Sequence, residues 1–249
     1  MKILVINPNI SHSVTDLIQA EAQRAARPDT QITMVTADFG VAYIETPAEA
    51  LVGGYAALSI LAEHYPGHDA AVIAAFGDPG VMAAKEIMSI PVVGLTEAAV
   101  ASAFLLGGRF AIVGISERIG AWYERTVEQL GMTARFAGYR GLGSAFANVG
   151  NVQNEQRQML LNLCQECVAL DQVDSIILAG APLAGLAREI SDRFPVPLID
   201  GVGSALRMAE ALASSGYAPR TQGAFAPPAA KPHKNMPAAL AKLIGRAET

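Results

Sequence analysis

The sequence predicts an α/β fold of two pseudo-symmetric lobes, each a parallel four-stranded sheet flanked by helices, with a cleft between them. Three observations carry this. Short apolar strands alternate with helix-length segments, the pattern of a doubly wound parallel sheet. The series restarts at Arg109, where RFAIVG lines up with KILVIN at residues 2–7. The third strand of each half also runs into a matched Gly/Pro loop, HDAAVIAAFGDPG at 68–80 and VDSIILAGAPLAG at 173–185. Ala75 thereby aligns with Gly180, and Gly80 with Gly185. Internal duplication of this kind decides architecture more firmly than any local assignment. In open α/β sheets ligands bind at the carboxyl ends of strands, where the next helix offers free N–H groups. Two matched loops there predict one site built from two halves.

Taken in order, the first half covers residues 1–107. Lys2 to Ile6 is a buried parallel strand, ending in Asn7-Pro8-Asn9-Ile10-Ser11, with Ser13 or Thr15 placed to cap a helix running to Ala26. A strand from Thr30 to Thr36 leads through Asp38-Phe39-Gly40 and Tyr43 to a long helix, Pro47 to His64. The strand Ala70 to Ala75, its loop and a helix from Val81 follow. Pro91 to Leu95 is the fourth strand, ending at Thr96-Glu97 before an Ala-rich helix to Leu106.

The second half, 108–215, repeats the plan. Its first strand ends with Ser116 opposite Asn9, and helix 121–130, strand 135–142 and helix 151–170 follow. After the partner loop comes strand 196–199, with Asp200 opposite Thr96, and a helix to Ala213. From Gly216 the chain turns Pro- and Ala-rich, which reads as a connector or docking arm over 216–249 with a short helix at 237–244.

Composition narrows the function. Apolar residues at 51% against 16% charged supply a large core and exclude a disordered chain. A net charge of −5, with no basic stripe interleaved with aromatics, argues against nucleic acid as a partner. No apolar run reaches the roughly 18 residues of a membrane span. MKILVINPN reads as a core strand rather than a secretory leader, so a cytoplasmic protein is expected. Cys164 and Cys167 form a C-x-x-C pair, but they fall on the apolar face of QRQMLLNLCQECVAL and read as core residues. His12, His64, His68 and His233 show no ligand spacing, and no metal site is expected.

INPNIS after the first strand and AAFGDPG after the third resemble the aspartate/glutamate/hydantoin racemase family. The likeness continues through PVVGLTEAA, RFAIVGIS and SIILAGAPLAG, covering residues 1–215. N-P-N together with FGDPG is more similar to the hydantoin and allantoin racemase branch than to the glutamate branch. The resemblance implies cofactor-independent chemistry at a carbon next to a carbonyl, on a small-molecule substrate, in a homo-oligomer. It also implies two cysteines, one per lobe: one thiolate takes the α-proton and the opposite thiol delivers one to the other face. The family's cysteine positions correspond here to Ala75 and Gly180, and neither can carry a proton. An inactivated racemase and a natural branch that lost the thiols both fit. Two different replacements in a rewritten second loop favour the natural branch.

Other residues remain for the cleft. Asn7, Asn9 and Ser11 suit a carboxylate or a cyclic ureide or imide, although Asn-Pro-Asn is also a turn and N-cap sequence. Ser116 and Arg118 face them from the second half, where Arg118 either grips an anion or stays solvated. Ala75, Phe76, Gly77, Thr96, Gly180, Ala181 and Pro182 complete the expected binding set through loop N–H groups and wall contacts. Asp78 and Glu97 are the acids near strand ends; each is a catalytic base or a first-turn helix carboxylate. Tyr43 and Tyr139 are further donors or aromatic wall. Racemisation therefore competes with a lyase, hydrolase or isomerase reaction on the same scaffold, and with a silent binding protein.

Overall fold

A computed structural model describes residues 1–143, 147–219 and 221–244. The first half contains strands β1 (Lys2–Asn7), β2 (Gln31–Thr36), β3 (Ala70–Ile73) and β4 (Val92–Gly94). Its helices are α1 (His12–Ala25), α2 (Pro47–His64), α3 (Val81–Ile87) and α4 (Leu95–Leu106). The second half contains β5 (Phe110–Gly114), β6 (Phe136–Gly141), β7 (Ser175–Leu178) and β8 (Leu198–Asp200). Its helices are α5 (Gly120–Gln129), α6 (Val152–Glu155), α7 (Arg157–Asp171), α8 (Leu186–Ile190) and α9 (Gly201–Ser214), and α10 (Ala238–Ile244) closes the described chain.

Both sheets are parallel and four-stranded, in the equivalent orders β2-β1-β3-β4 and β6-β5-β7-β8. Register sets the site. Ile6 pairs with Ile73, so the Asn7–Ser11 and Ala75–Gly80 loops leave the first sheet side by side. Val113 pairs with Leu178, which does the same for Ser116 and Gly180 in the second.

Fully buried β-branched strands need cover on both faces, and the halves supply it to each other. Helix α9 packs on β3 and β4, α4 packs on β7 and β8, and the two helices pack together. One apolar core therefore runs unbroken from Ile3 and Val5 through Phe110–Val113 to Ala209. A smaller cluster lies on the outer face of the first sheet. There Leu4, Ile6, Ala71 and Ile73 meet α2, α3 and Leu240 and Leu243 of α10. Helix α10 thus docks on the first half; residues 220 and 245–249 of the arm lie outside the described residues.

Local details correct the sequence reading. Ser11, rather than Ser13 or Thr15, caps α1, its side chain accepting from the Val14 N–H at 3.4 Å. Thr46 and Glu49 form a reciprocal capping box with Pro47 in the first turn, which fixes the start of α2. The helix expected at 151–170 breaks at Gln156 into α6 and α7. Helix α4 begins at Leu95, so the fourth strand is shorter than expected and Glu97 is the first-turn helix carboxylate, one of its two readings from sequence. On the side away from the cleft, buried Glu210 ties the halves by accepting from the Arg27 N–H (2.9 Å) and the Thr30 hydroxyl (2.6 Å).

Candidate functional site

The strand-end loops of both sheets meet around a small cavity of about 30 Å³. Asn9, Tyr43, Ile44, Ala75 and Phe76 line it from the first half, and Ile115, Ile119, Tyr123, Gly180, Ala181 and Pro182 from the second. Sequence reading placed Asn9, Ala75, Phe76, Gly180, Ala181 and Pro182 there. Tyr43, read as a donor or aromatic wall, also lines it; the other residues proposed lie elsewhere, each for a definite reason.

Asn7 is a buried scaffold. Its Nδ2 donates towards Asn9 Oδ1 (3.1 Å), Ser11 O (3.1 Å) and Thr15 Oγ1 (2.9 Å), and its Oδ1 accepts from the Asn9 N–H (3.2 Å). This fixes Asn9, whose Oδ1 also accepts from the Ser11 N–H at 2.9 Å. The Asn9 Nδ2 donates to nothing among the described residues, and Asn9 is the side chain of the trio that reaches the cavity. Ser11 is spent on capping α1.

The Ala75–Gly80 loop is held from behind. Gly77 donates its N–H to Thr96 Oγ1 at 2.6 Å, so neither group is free to meet a ligand. A side chain on Gly77 would collide with the indole of Trp122, which sits against it from the second half. Asp78, in the left-handed region at φ 53, precedes α3 instead of lying in its first turn. Its carboxylate accepts from the N–H groups of Thr96 and Glu97, each at 2.8 Å, and so caps α4. Burial, and secondarily the charge of Glu97, push this carboxyl up to about 7. Glu97 accepts from the Gly94 N–H (3.1 Å) and pairs with Lys85. It faces a separate surface hollow beside β4, away from the cleft. The second half reverses the arrangement. Asp200 at the end of β8 accepts from Gly203 N (3.0 Å) and reaches back to Gly185 N (2.7 Å), and burial raises its pKa.

Gly180 adopts φ 105 and ψ 137, which L side chains rarely visit. A Cβ there would lie 3.5 Å from Pro182 Cδ and 3.9 Å from the Tyr123 hydroxyl, so space is present but the backbone suits glycine. Tyr123 is 3% exposed and its ring meets Phe76 across the cleft at 4.7 Å between centroids. Its hydroxyl makes no hydrogen bond among the described residues, and the same holds for the N–H groups of Phe76, Gly180 and Ala181. Burial, aided by Tyr139 and Asp78, lifts the Tyr123 phenol well above 10, so it stays protonated and donates. The site therefore gathers unspent donors.

Ser116 and Arg118 stand at the rim. The Ser116 hydroxyl donates to a carboxylate oxygen of Glu45, reaching across from the first half, and accepts from the Arg118 N–H at 3.2 Å; the exposed Arg118 guanidinium makes no hydrogen bond or ion pair among the described residues. Tyr139 donates to Ser116 O at 2.7 Å and braces that turn. Tyr123, Ile44 and Glu45 escape sequence reading. Tyr123 resembles any core aromatic of an amphipathic helix, and Glu45 comes before a helix with no motif around it. Cys164 and Cys167 are fully buried in α7, and burial raises their thiols to about 12 and about 11.

Two parallel sheets of equal order, joined by one core and opening their strand ends onto a shared cavity, define an α/β protein with a twinned site. The chain belongs to the Asp/Glu/hydantoin racemase family, whose pattern matches residues 3–209. It is 34% identical to the hydantoin racemase of Paenarthrobacter aurescens across 93% of this chain and 99% of that protein. Its fold is similar to allantoin racemase from Klebsiella pneumoniae, with a TM-score of 0.87, 30% identity and coverage of 94% of this chain and 95% of that one. Allantoin racemase from Pseudomonas fluorescens superposes equally well, with a TM-score of 0.87, 28% identity and coverage of 95% and 100%.

Proposed function

We propose that this racemase-superfamily chain acts, without a cofactor, on a small carboxylate or cyclic ureide or imide at the carbon next to a carbonyl. The observation that carries this is the convergence of unspent donors, the Phe76, Gly180 and Ala181 N–H groups, Asn9 Nδ2 and the Tyr123 hydroxyl, on one apolar cavity. Preorganised donors in a water-poor site stabilise negative charge developing on a carbonyl oxygen, and one such donor is worth roughly 3–4 kcal/mol in a transition state. The substrate carbonyl would lie against the loop N–H groups, with Asn9 holding a second polar group.

Proton traffic is one-sided. Tyr123 can donate from the Gly180 face, while the opposite face presents the methyl group of Ala75. No thiol, imidazole or carboxylate lines the cavity among the described residues. This favours a reaction in which the substrate generates its own carbanion over proton exchange between two faces. Loss of carbon dioxide is one such step: the C–C bond pair moves to the α-carbon as an enolate, Tyr123 protonates it, and water restores the phenol. The same lack of a base favours the second reading, a binding protein without turnover. Incubation in heavy water with allantoin, 5-substituted hydantoins, aspartate, glutamate and α-carboxylated acids separates the two. Deuterium incorporated at the α-carbon supports the enzyme, and binding without incorporation supports the binder. The reading carries with it a homo-oligomer, for which the family resemblance is the support.

A further inference from the structure

The cavity of about 30 Å³ holds about one water, whereas small-molecule sites run to roughly 300 Å³ or more. A substrate enters only if something opens. The segment over the cavity is 37–46, between β2 and α2, which contributes Tyr43 and Ile44 to the lining. It has a pivot at its start, where Gly40 adopts φ 120. Its middle is held by one backbone bond, Ile10 N–H to Val41 O at 3.1 Å. At its far end the N–H groups of Glu45 and Thr46 both donate to Glu49 Oε2 at 2.9 Å, which fixes where Glu45 projects. Glu45 then crosses the cleft to accept from the Ser116 hydroxyl. Arg118 stands beside this contact, and its charge is felt at Tyr43 and Glu49 of the same region.

We propose that segment 37–46 is a lid latched by Glu45 on Ser116, and that the carboxylate of Glu45 occupies the place an incoming anionic substrate must take. The chain is thereby self-inhibited. A carboxylate ligand displaces Glu45 from Ser116, gains the guanidinium of Arg118, and frees Tyr43 and Ile44 to move off the cavity. A neutral ligand of the same shape lacks this lever, so the latch selects for charge. The inference concerns access, and it holds whether or not turnover follows.

The test needs no knowledge of the substrate. Hydrogen exchange over 37–46 and acrylamide quenching of Trp122, the single tryptophan, are compared in wild type, Glu45→Ala and Ser116→Ala. Both variants should exchange the lid amides about tenfold faster and quench more readily, with the double variant no faster than either. Formate or acetate at millimolar concentration should speed lid exchange in wild type, by displacing Glu45 from Ser116, and change nothing further in Glu45→Ala or Ser116→Ala, whose latch is already gone. Unchanged lid exchange in both single variants would overturn the latch. Wild-type lid exchange that formate and acetate leave unchanged would overturn the carboxylate site. Glu45→Gln, which keeps the side chain's shape and an oxygen that accepts from Ser116 but loses the charge, guards against a folding defect in the alanine variant and should exchange at a rate between wild type and Glu45→Ala.

Discussion

Replacing Gly180 with alanine puts a number on how far this chain has moved from a two-thiol site. At φ 105 and ψ 137 the residue lies where a Cβ strains the backbone, at a cost of roughly 1–3 kcal/mol. Reduced freedom of the unfolded chain offsets roughly 0.4–1 kcal/mol of that. Sterics add little, because the nearest atoms to the new Cβ are 3.5 and 3.9 Å away. The expected net loss is about 1–2 kcal/mol, a fall in melting temperature of about 2–8 °C for a chain of this size. Urea unfolding followed by Trp122 fluorescence measures it directly. The consequence for function is that Gly180→Cys meets the same strain, so a thiol restored there sits in a displaced loop. Ala75→Cys, on a position that already bears a Cβ, does not. Stability of Gly180→Ala equal to or above wild type would refute the reasoning and show that the loop accepts a side chain without penalty.

Other outcomes follow from the same geometry. Asp78 is protonated in the folded chain up to about pH 7 but ionised above 3.8 when unfolded. A raised carboxyl pKa means stability from this group grows as pH falls from 7 towards 4 and is lost as pH rises through 7. Allowing for its partial exposure, the gain between pH 8 and pH 5 is about 2 kcal/mol. Asp78→Asn should flatten that slope in urea titrations while the like-signed contributions of Glu21 and Asp200 remain; an unchanged slope would contradict the assignment. Cys164 and Cys167, buried and protonated, should resist a thiol reagent in the native protein, and Cys164→Ala should leave ligand binding intact. Leu240→Ala removes a side chain buried between α10 and α2 and should cost about 2–4 kcal/mol in urea unfolding; no loss would mean the arm's docking is dispensable.

Much of the fold was legible because period and repetition are properties of the chain itself. The strand run KILVIN and its echo RFAIVG gave two sheets of equal order, and the Gly-Pro loops marked where the strand ends open. What repetition could not show is that α4 and α9 exchange partners between sheets, since that depends on packing across the halves. At the site, glycines and the lost cysteines were readable as positions. The fate of hydrogen bonds was not. Asn7 and Asn9 look alike in sequence, yet one amide is consumed inside and the other keeps its donor for the cavity. Asp78 serves a helix that begins well after its own loop, and Tyr123 becomes a site residue because the fold sets its ring against Phe76 and its hydroxyl beside Gly180.

The most direct measurement is deuterium incorporation and optical rotation followed together for wild type and Tyr123→Phe, with single enantiomers of 5-substituted hydantoins and with α-carboxylated acids. The account predicts deuterium delivered to one face of the α-carbon of the α-carboxylated acids, no inversion of the hydantoin enantiomers, and a loss of about 100-fold or more in Tyr123→Phe. Racemisation by the wild type, undiminished in Tyr123→Phe, would contradict it.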